Sequence, residues 1–346
     1  MENLTIMTPD GKIEAYEAPA VSPVVSVKHL CFSYGVRLIL KDIDFELYPG
    51  EIFGFLGPNG SGKTTTIKLM LGLLPITSGR ITICDKDVSR EFEAALANVG
   101  GIVENPEMYS YLSGKQNLEL FRRMFDSVPR ERIDELAELV GLSDRINDKV
   151  SKYSLGMRQR LGIAQALLGD PKVLVLDEPT NGLDPAGIKD LRDLLKKLAA
   201  EKGVAVFVSS HQLAELDLMC DRVAVLNSGK ILRTLTIDEI RNPDGEGRVE
   251  LTVNIAPESA AAVPEDIPLR LDGARLVGSV NEEDIPSIIS ALAVAGVMIT
   301  GVERKQRTLE DVFLELTRSA SSGEPAIWAP PVKLPAEKNK EGGEAK

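Results

Sequence analysis

Eight residues, Gly57-Pro58-Asn59-Gly60-Ser61-Gly62-Lys63-Thr64, constrain this chain more than any other segment. They follow a short apolar run, Glu51–Leu56, and open a stretch with helical patterning, Lys63–Leu74, so the glycines fall between a strand and a helix. Glycine lets successive backbone N–H groups curl inward, and the helix N-terminus behind them adds a favourable dipole, which together make a cradle for phosphate. Lys63 then reaches the β- and γ-phosphates of a nucleotide and Thr64 offers its hydroxyl to Mg²⁺, with Thr65 beside them in the binding set. Phosphate binding alone does not name an activity, because the same loop serves GTPases, kinases and many motors.

A second segment narrows the choice. Val173-Leu174-Val175-Leu176-Asp177-Glu178 is an apolar strand ending in two acids, a costly arrangement unless the carboxylates meet a cation or hydrogen-bond donors. Behind a phosphate loop, Asp177 is placed to hold Mg²⁺ and Glu178 to orient and deprotonate the attacking water. Strand-like runs at Lys172–Leu176 and Val204–Ser209 flank a helical stretch around Gly187–Ala200, and this alternation indicates a parallel, doubly wound α/β core.

Around that core the chain divides by texture. Residues 1–22 mix charge, Pro and Thr without a period and read as a flexible leader. Val24–Val27, Leu30–Ser33 and Asp44–Leu47, punctuated by Gly35, Pro49 and Gly50, read as an antiparallel β layer. Residues 115–141 are mostly helical, in two segments separated at Pro129. The turn cluster Asn242–Gly247 marks a boundary between a main domain over 24–245 and a small α/β appendage over 248–318. The appendage has strands near Val249–Asn254, Ala274–Val280 and Val297–Val302 and a helix near Asp284–Ala295. A helix Leu309–Leu316, with Thr308 and Asp311 at capping-box spacing, closes it, and residues 319–346 read as a disordered tail.

Composition excludes several partners. The 346 residues carry a formal net charge of -12 and a pI near 4.9, which opposes binding to nucleic acid. Cys31, Cys84 and Cys220 are far apart and lack the spacing of a zinc site or a disulfide framework, consistent with a reducing cytosol. The N-terminus lacks the basic start and apolar block of a signal peptide, and no apolar stretch approaches the roughly 20 residues of a spanning helix. A role at the membrane would have to run through a partner.

Between the two nucleotide motifs lies Tyr153-Ser154-Leu155-Gly156-Met157-Arg158-Gln159-Arg160, and here the sequence resembles an ABC ATPase. That family's signature is usually Leu-Ser-Gly-Gly-Gln; this copy keeps Ser154 and Gly156 and departs at Tyr153, Leu155 and Met157. The remaining family marks follow in order. Asn181-Gly182-Leu183-Asp184 is similar to the loop that reaches across the dimer, and Ser209-Ser210-His211 supplies in His211 the family's γ-phosphate histidine. Upstream, Tyr34 in Phe32-Ser33-Tyr34-Gly35 matches the aromatic on which adenine stacks. The likeness covers about residues 24–240.

The resemblance implies a fold: an ABC ATPase core with an antiparallel β layer and a helical subdomain. It also implies a head-to-tail homodimer or pseudo-dimer, with ATP held between the phosphate loop of one subunit and Ser154–Gly156 of the other. Lys63, Glu178 and His211 would carry catalysis, with Thr64, Asp177 and Glu104 toward Mg²⁺. Glu104, in Gly101-Ile102-Val103-Glu104-Asn105-Pro106, stands where most family members carry glutamine. Exporters of the bacitracin and lantibiotic type share that glutamate and a segment like Leu309–Phe313, and daunorubicin-type exporters share the latter.

The reading is an ATP-hydrolysing subunit that powers export of a drug or antimicrobial peptide through a separate integral membrane permease. It would sit in the cytoplasm at the inner face of the membrane. A non-transport ABC ATPase and a regulatory ATP-binding module remain as alternatives. The first usually carries two cassettes or a long coiled coil, and retention of both Asp177 and Glu178 favours hydrolysis over sensing.

Overall fold

The computed structural model describes residues 4–7, 13–16, 22–125, 127–242, 248–264, 266–305 and 307–322. It divides into two units, Met1–Thr236 and Ile237–Lys346. The division precedes the turn cluster at 242–247, most of which lies outside the described residues, as does most of the tail from 319. In the leader, Leu4–Met7 and Ile13–Tyr16 pair as two short antiparallel strands.

The first unit is organised by a six-stranded sheet. Its order is Lys230–Thr236, Arg222–Asn227, Ile52–Leu56, Ala205–Ser210, Val173–Asp177 and Val99–Ile102, parallel except for the Lys230–Thr236 edge. The central strands Ile52–Leu56, Val173–Asp177 and Ala205–Ser210 are buried along their whole length, as continuous apolar runs in a parallel sheet require. Their register is what builds the site. Leu56 pairs with Ser210, Ser209 with Asp177, and Ile102 with Leu176, so four strands end level and deliver their next residues to one crevice.

A second, four-stranded antiparallel sheet has the order Arg37–Leu47, Val25–Tyr34, Ser78–Ile83, Lys86–Asp87. Where the sequence suggests two strands broken at Lys28-His29, one bulged strand runs through, and His29 absorbs the bulge with φ 50°. Val25, Val27, Leu40 and Ile43 of this sheet share a core with Phe53, Phe207 and the helix Lys63–Met70. Four rings, Phe45, Phe53, Phe55 and Phe207, meet there with centroids 5.2 to 6.1 Å apart.

The helical segment consists of Gly114–Arg122, Glu131–Leu139 and Leu155–Ala166. Ser113 and Gln116 form a capping box at the first of these. Tyr153 belongs to this packing: its ring is buried and its hydroxyl donates to the Arg145 carbonyl at 2.7 Å.

The second unit has its own antiparallel sheet, ordered Arg270–Asp272, Arg275–Asn281, Arg248–Ile255, Ile299–Lys305. Val249, Leu251, Val253 and Leu276 form its core with Ile288 and Leu292 of the helix Ile285–Val294. At the helix Leu309–Ser322, Thr308 and Asp311 exchange backbone and side-chain hydrogen bonds as a capping box. No helix among the described residues is long and apolar enough to cross a membrane.

Candidate nucleotide site

The phosphate loop leaves the Ile52–Leu56 strand and turns into the helix Lys63–Met70 through Gly60 (φ 78°) and Gly62 (φ 117°), backbone that L side chains rarely adopt. At Gly57 the demand is for space: a Cβ there would lie 2.4 Å from the Leu226 carbonyl oxygen and 2.6 Å from Ser61 Oγ. Lys63 donates to the Gly57 carbonyl at 2.8 Å. Its Nζ also stands 3.4 Å from Glu178 Oε1. Ser61 Oγ is buried and has no hydrogen-bond partner among the described residues. An orphaned hydroxyl in a cradle of backbone amides fits an anionic ligand that brings its own acceptors.

The two acids occupy different environments. Asp177 is 3% exposed, and among the described residues no Lys, Arg or His lies within ion-pair distance of it. Its Oδ1 accepts a hydrogen bond from Ser209 Oγ at 2.5 Å. A buried carboxylate without a cationic side chain is an oxygen donor suited to a hard divalent cation. Glu178 is more open and sits at φ 46°, a sparsely populated conformation for a non-glycine residue. Its N–H is held by both the Oγ (3.0 Å) and the carbonyl oxygen (3.1 Å) of Ser209, and its Oε2 meets His211 Nδ1 at 2.8 Å.

Lys63, Glu178 and His211 therefore converge, although 115 and 33 positions separate the outer two from the glutamate in the chain. Glu104, at φ 63°, follows the Val99–Ile102 strand; its side chain is 68% exposed and reaches Lys68 Nζ at 3.4 Å. Tyr34 ends the Val25–Tyr34 strand half-exposed, in a T-shaped contact with Phe32 at 4.8 Å. Ser154 caps the helix Leu155–Ala166 by accepting from Met157 N–H at 3.2 Å. Ser154 and Gly156 line a separate cleft of about 350 Å³ with Gly182, Leu183 and Asp184, and no phosphate-loop residue borders it. The contacts of Ser209 with Asp177 and with the Glu178 backbone are ones that the sequence did not reveal. Two serines closing an otherwise apolar buried strand were the available signal.

The family model described as ABC transporter matches residues 40–181. An uncharacterized ABC transporter ATP-binding protein of Bacillus subtilis, YhcH, is 47% identical, with 85% of this chain and 96% of that protein covered. The chain belongs to the ABC transporter ATP-binding family. The cassette is also 34% identical to the bacitracin transport ATP-binding protein BcrA of Bacillus licheniformis, over 88% of this chain and 100% of that one. Among solved structures it resembles cbiO1 of Clostridium perfringens, part of the transporter complex cbiONQ (29% identity, TM-score 0.59, 63% of this chain and 90% of that chain). The fold is therefore that of an ABC ATPase, and the chain is an ATP-binding transporter subunit of the ATPase class that drives transport.

Proposed function

We propose that this cassette binds ATP with Mg²⁺, hydrolyses it in a head-to-tail dimer, and thereby powers export of an antimicrobial peptide or drug-like compound through a separate membrane permease. The observation that carries the catalytic part is the meeting of Glu178 with His211 at 2.8 Å and with Lys63 at 3.4 Å. Glu178 accepts a proton from the attacking water, and His211 orients that carboxylate while facing the terminal phosphate. Lys63 exchanges the loop carbonyls for phosphate oxygens, and the loop amides with Ser61 complete the cradle. Thr64, Asp177 and Glu104 would supply oxygen ligands for Mg²⁺, Glu104 once free of Lys68. When bound, the ion neutralises charge on the phosphoryl oxygens. Tyr34 stacks on adenine.

The cleft that joins Ser154 and Gly156 to Gly182–Asp184 supports the dimer, because Ser154, Gly182 and Asp184 are exposed and the cleft lies apart from the chain's own phosphate loop. The export assignment draws on relatives named for bacitracin transport and daunorubicin resistance and on Glu104. We place the cassette in the cytoplasm at the inner face of the membrane, held by the permease. The second unit, which has a core of its own and no convergent set of His or Cys among its described residues, supports structure or dimerisation. Purification of the cassette from membranes, with identification of the bound polytopic protein and a test of export across it, decides the matter. Recovery with ribosomes or DNA alone would overturn the transport reading.

A further inference from the structure

The strand Ala205–Ser210 is apolar through Val208, and Ser209 then stands at 0% exposure. A hydroxyl at that depth is costly unless its hydrogen-bonding capacity is used. Here both sides are used. The oxygen accepts from the Glu178 N–H, a group that can only donate, so the hydroxyl proton is left for Asp177 Oδ1. The parallel register that sets Ser209 opposite Asp177 makes the arrangement a property of the sheet rather than of a loose loop.

We propose that Ser209 is a positioning residue for hydrolysis. Its hydroxyl pins one oxygen of Asp177, leaving the second for the divalent cation that accompanies ATP. The same oxygen, beside the Ser209 carbonyl, holds the backbone of Glu178 in the left-handed turn from which its carboxylate meets His211 and Lys63. One buried hydroxyl thus couples the aim of the cation ligand to the aim of the base. This inference rests on the assignment of Asp177 and Glu178 to those two roles.

The test compares full-length wild type, Ser209→Ala, Ser209→Thr and Glu178→Gln. ATPase rates are measured against ATP and against free Mg²⁺, and Mn²⁺ binding in the presence of ADP is followed by electron paramagnetic resonance. Removing an outer partner of a metal ligand commonly costs about 10-fold to 100-fold in affinity or activity. Ser209→Ala is expected to lower kcat by about 10-fold with KM for ATP within about twofold, and to weaken Mn²⁺ binding by about 10-fold, in a protein that still unfolds cooperatively above the assay temperature. Ser209→Thr, which keeps the hydroxyl, restores most of both. Wild-type kcat and Mn²⁺ affinity in Ser209→Ala would overturn the proposal, and so would a well-folded Ser209→Thr no better than the alanine variant. The Mn²⁺ measurement on Ser209→Ala decides by itself if the extra methyl disturbs the packing. Glu178→Gln separates the two claims: its loss of turnover upholds the base whatever Ser209 does, and its full activity would sink the base assignment instead.

Discussion

His211 Nδ1 stands 2.8 Å from Glu178 Oε2, a contact set by two neighbouring parallel strands that end level. If the pair works as base and orienter, the two side chains act as one unit. Glu178→Gln, similar in shape but unable to accept the water's proton, is expected to lower turnover by about 10²-fold to 10⁴-fold while leaving ATP affinity within about threefold. His211→Ala should also lose turnover, and the double variant should be little slower than Glu178→Gln alone. Single-turnover hydrolysis and nucleotide titration check this. Simple multiplication of the two losses would mean that the residues act separately.

Ser61 invites a test in the opposite direction. Among the described residues its buried Oγ has no hydrogen-bond partner, and an unsatisfied buried hydroxyl is costly. Ser61→Ala is expected to melt at the same or a higher temperature in the absence of nucleotide. Its ATP affinity should fall by about 10-fold or more, because a hydrogen bond to a charged phosphate contributes roughly 1.5–3 kcal/mol. Thermal unfolding with and without nucleotide reads both. A lower melting temperature with unchanged affinity would make Ser61 a structural residue.

The core prediction concerns Phe207, fully buried at the centre of four rings on the strand that ends in Ser209 and Ser210. Phe207→Ala leaves a cavity that a sheet hydrogen-bonded on both sides cannot close. It is expected to cost about 3–5 kcal/mol in chemical denaturation. Phe207→Leu, nearer in volume, should cost appreciably less.

What the sequence could show was what depends on spacing within one segment. The phosphate loop, the strand ending in Asp177-Glu178 and the Thr308/Asp311 cap carry their logic inside a few residues. Val99–Ile102 is a strand hidden by two glycines that lower its strand pattern, and packing explains one of them: a Cβ at Gly100 would lie 2.1 Å from the Ala166 carbonyl oxygen. The bulge at His29 and the contacts of Ser209 with Asp177 and the Glu178 backbone were not legible. Both depend on register between strands, and Ser209 lies 32 positions from Asp177. For the same reason the sequence could list Lys63, Glu178 and His211 but could not bring them together.

The departure from the family signature at Tyr153 yields a prediction in pH. The phenol is buried, and burial raises its pKa above the ordinary 10.0 because the phenolate would lose its hydration. Its hydroxyl donates to the Arg145 carbonyl, so Tyr153→Phe should cost about 1 kcal/mol at pH 8, where both folded and unfolded tyrosine are protonated. As pH rises past the unfolded value near 10.0, the unfolded chain releases the proton first and the folded chain resists. The wild type therefore loses stability through that window by a route closed to Tyr153→Phe, and the gap between them narrows. Urea midpoints of the two proteins from pH 8 to pH 11 test the sign, since other tyrosines and lysines titrate equally in both. A gap that widens with pH would show that the folded state favours the phenolate. Ser154, which caps the next helix with its own hydroxyl, is untouched by the change, so ATPase activity at pH 8 should stay near the wild-type rate.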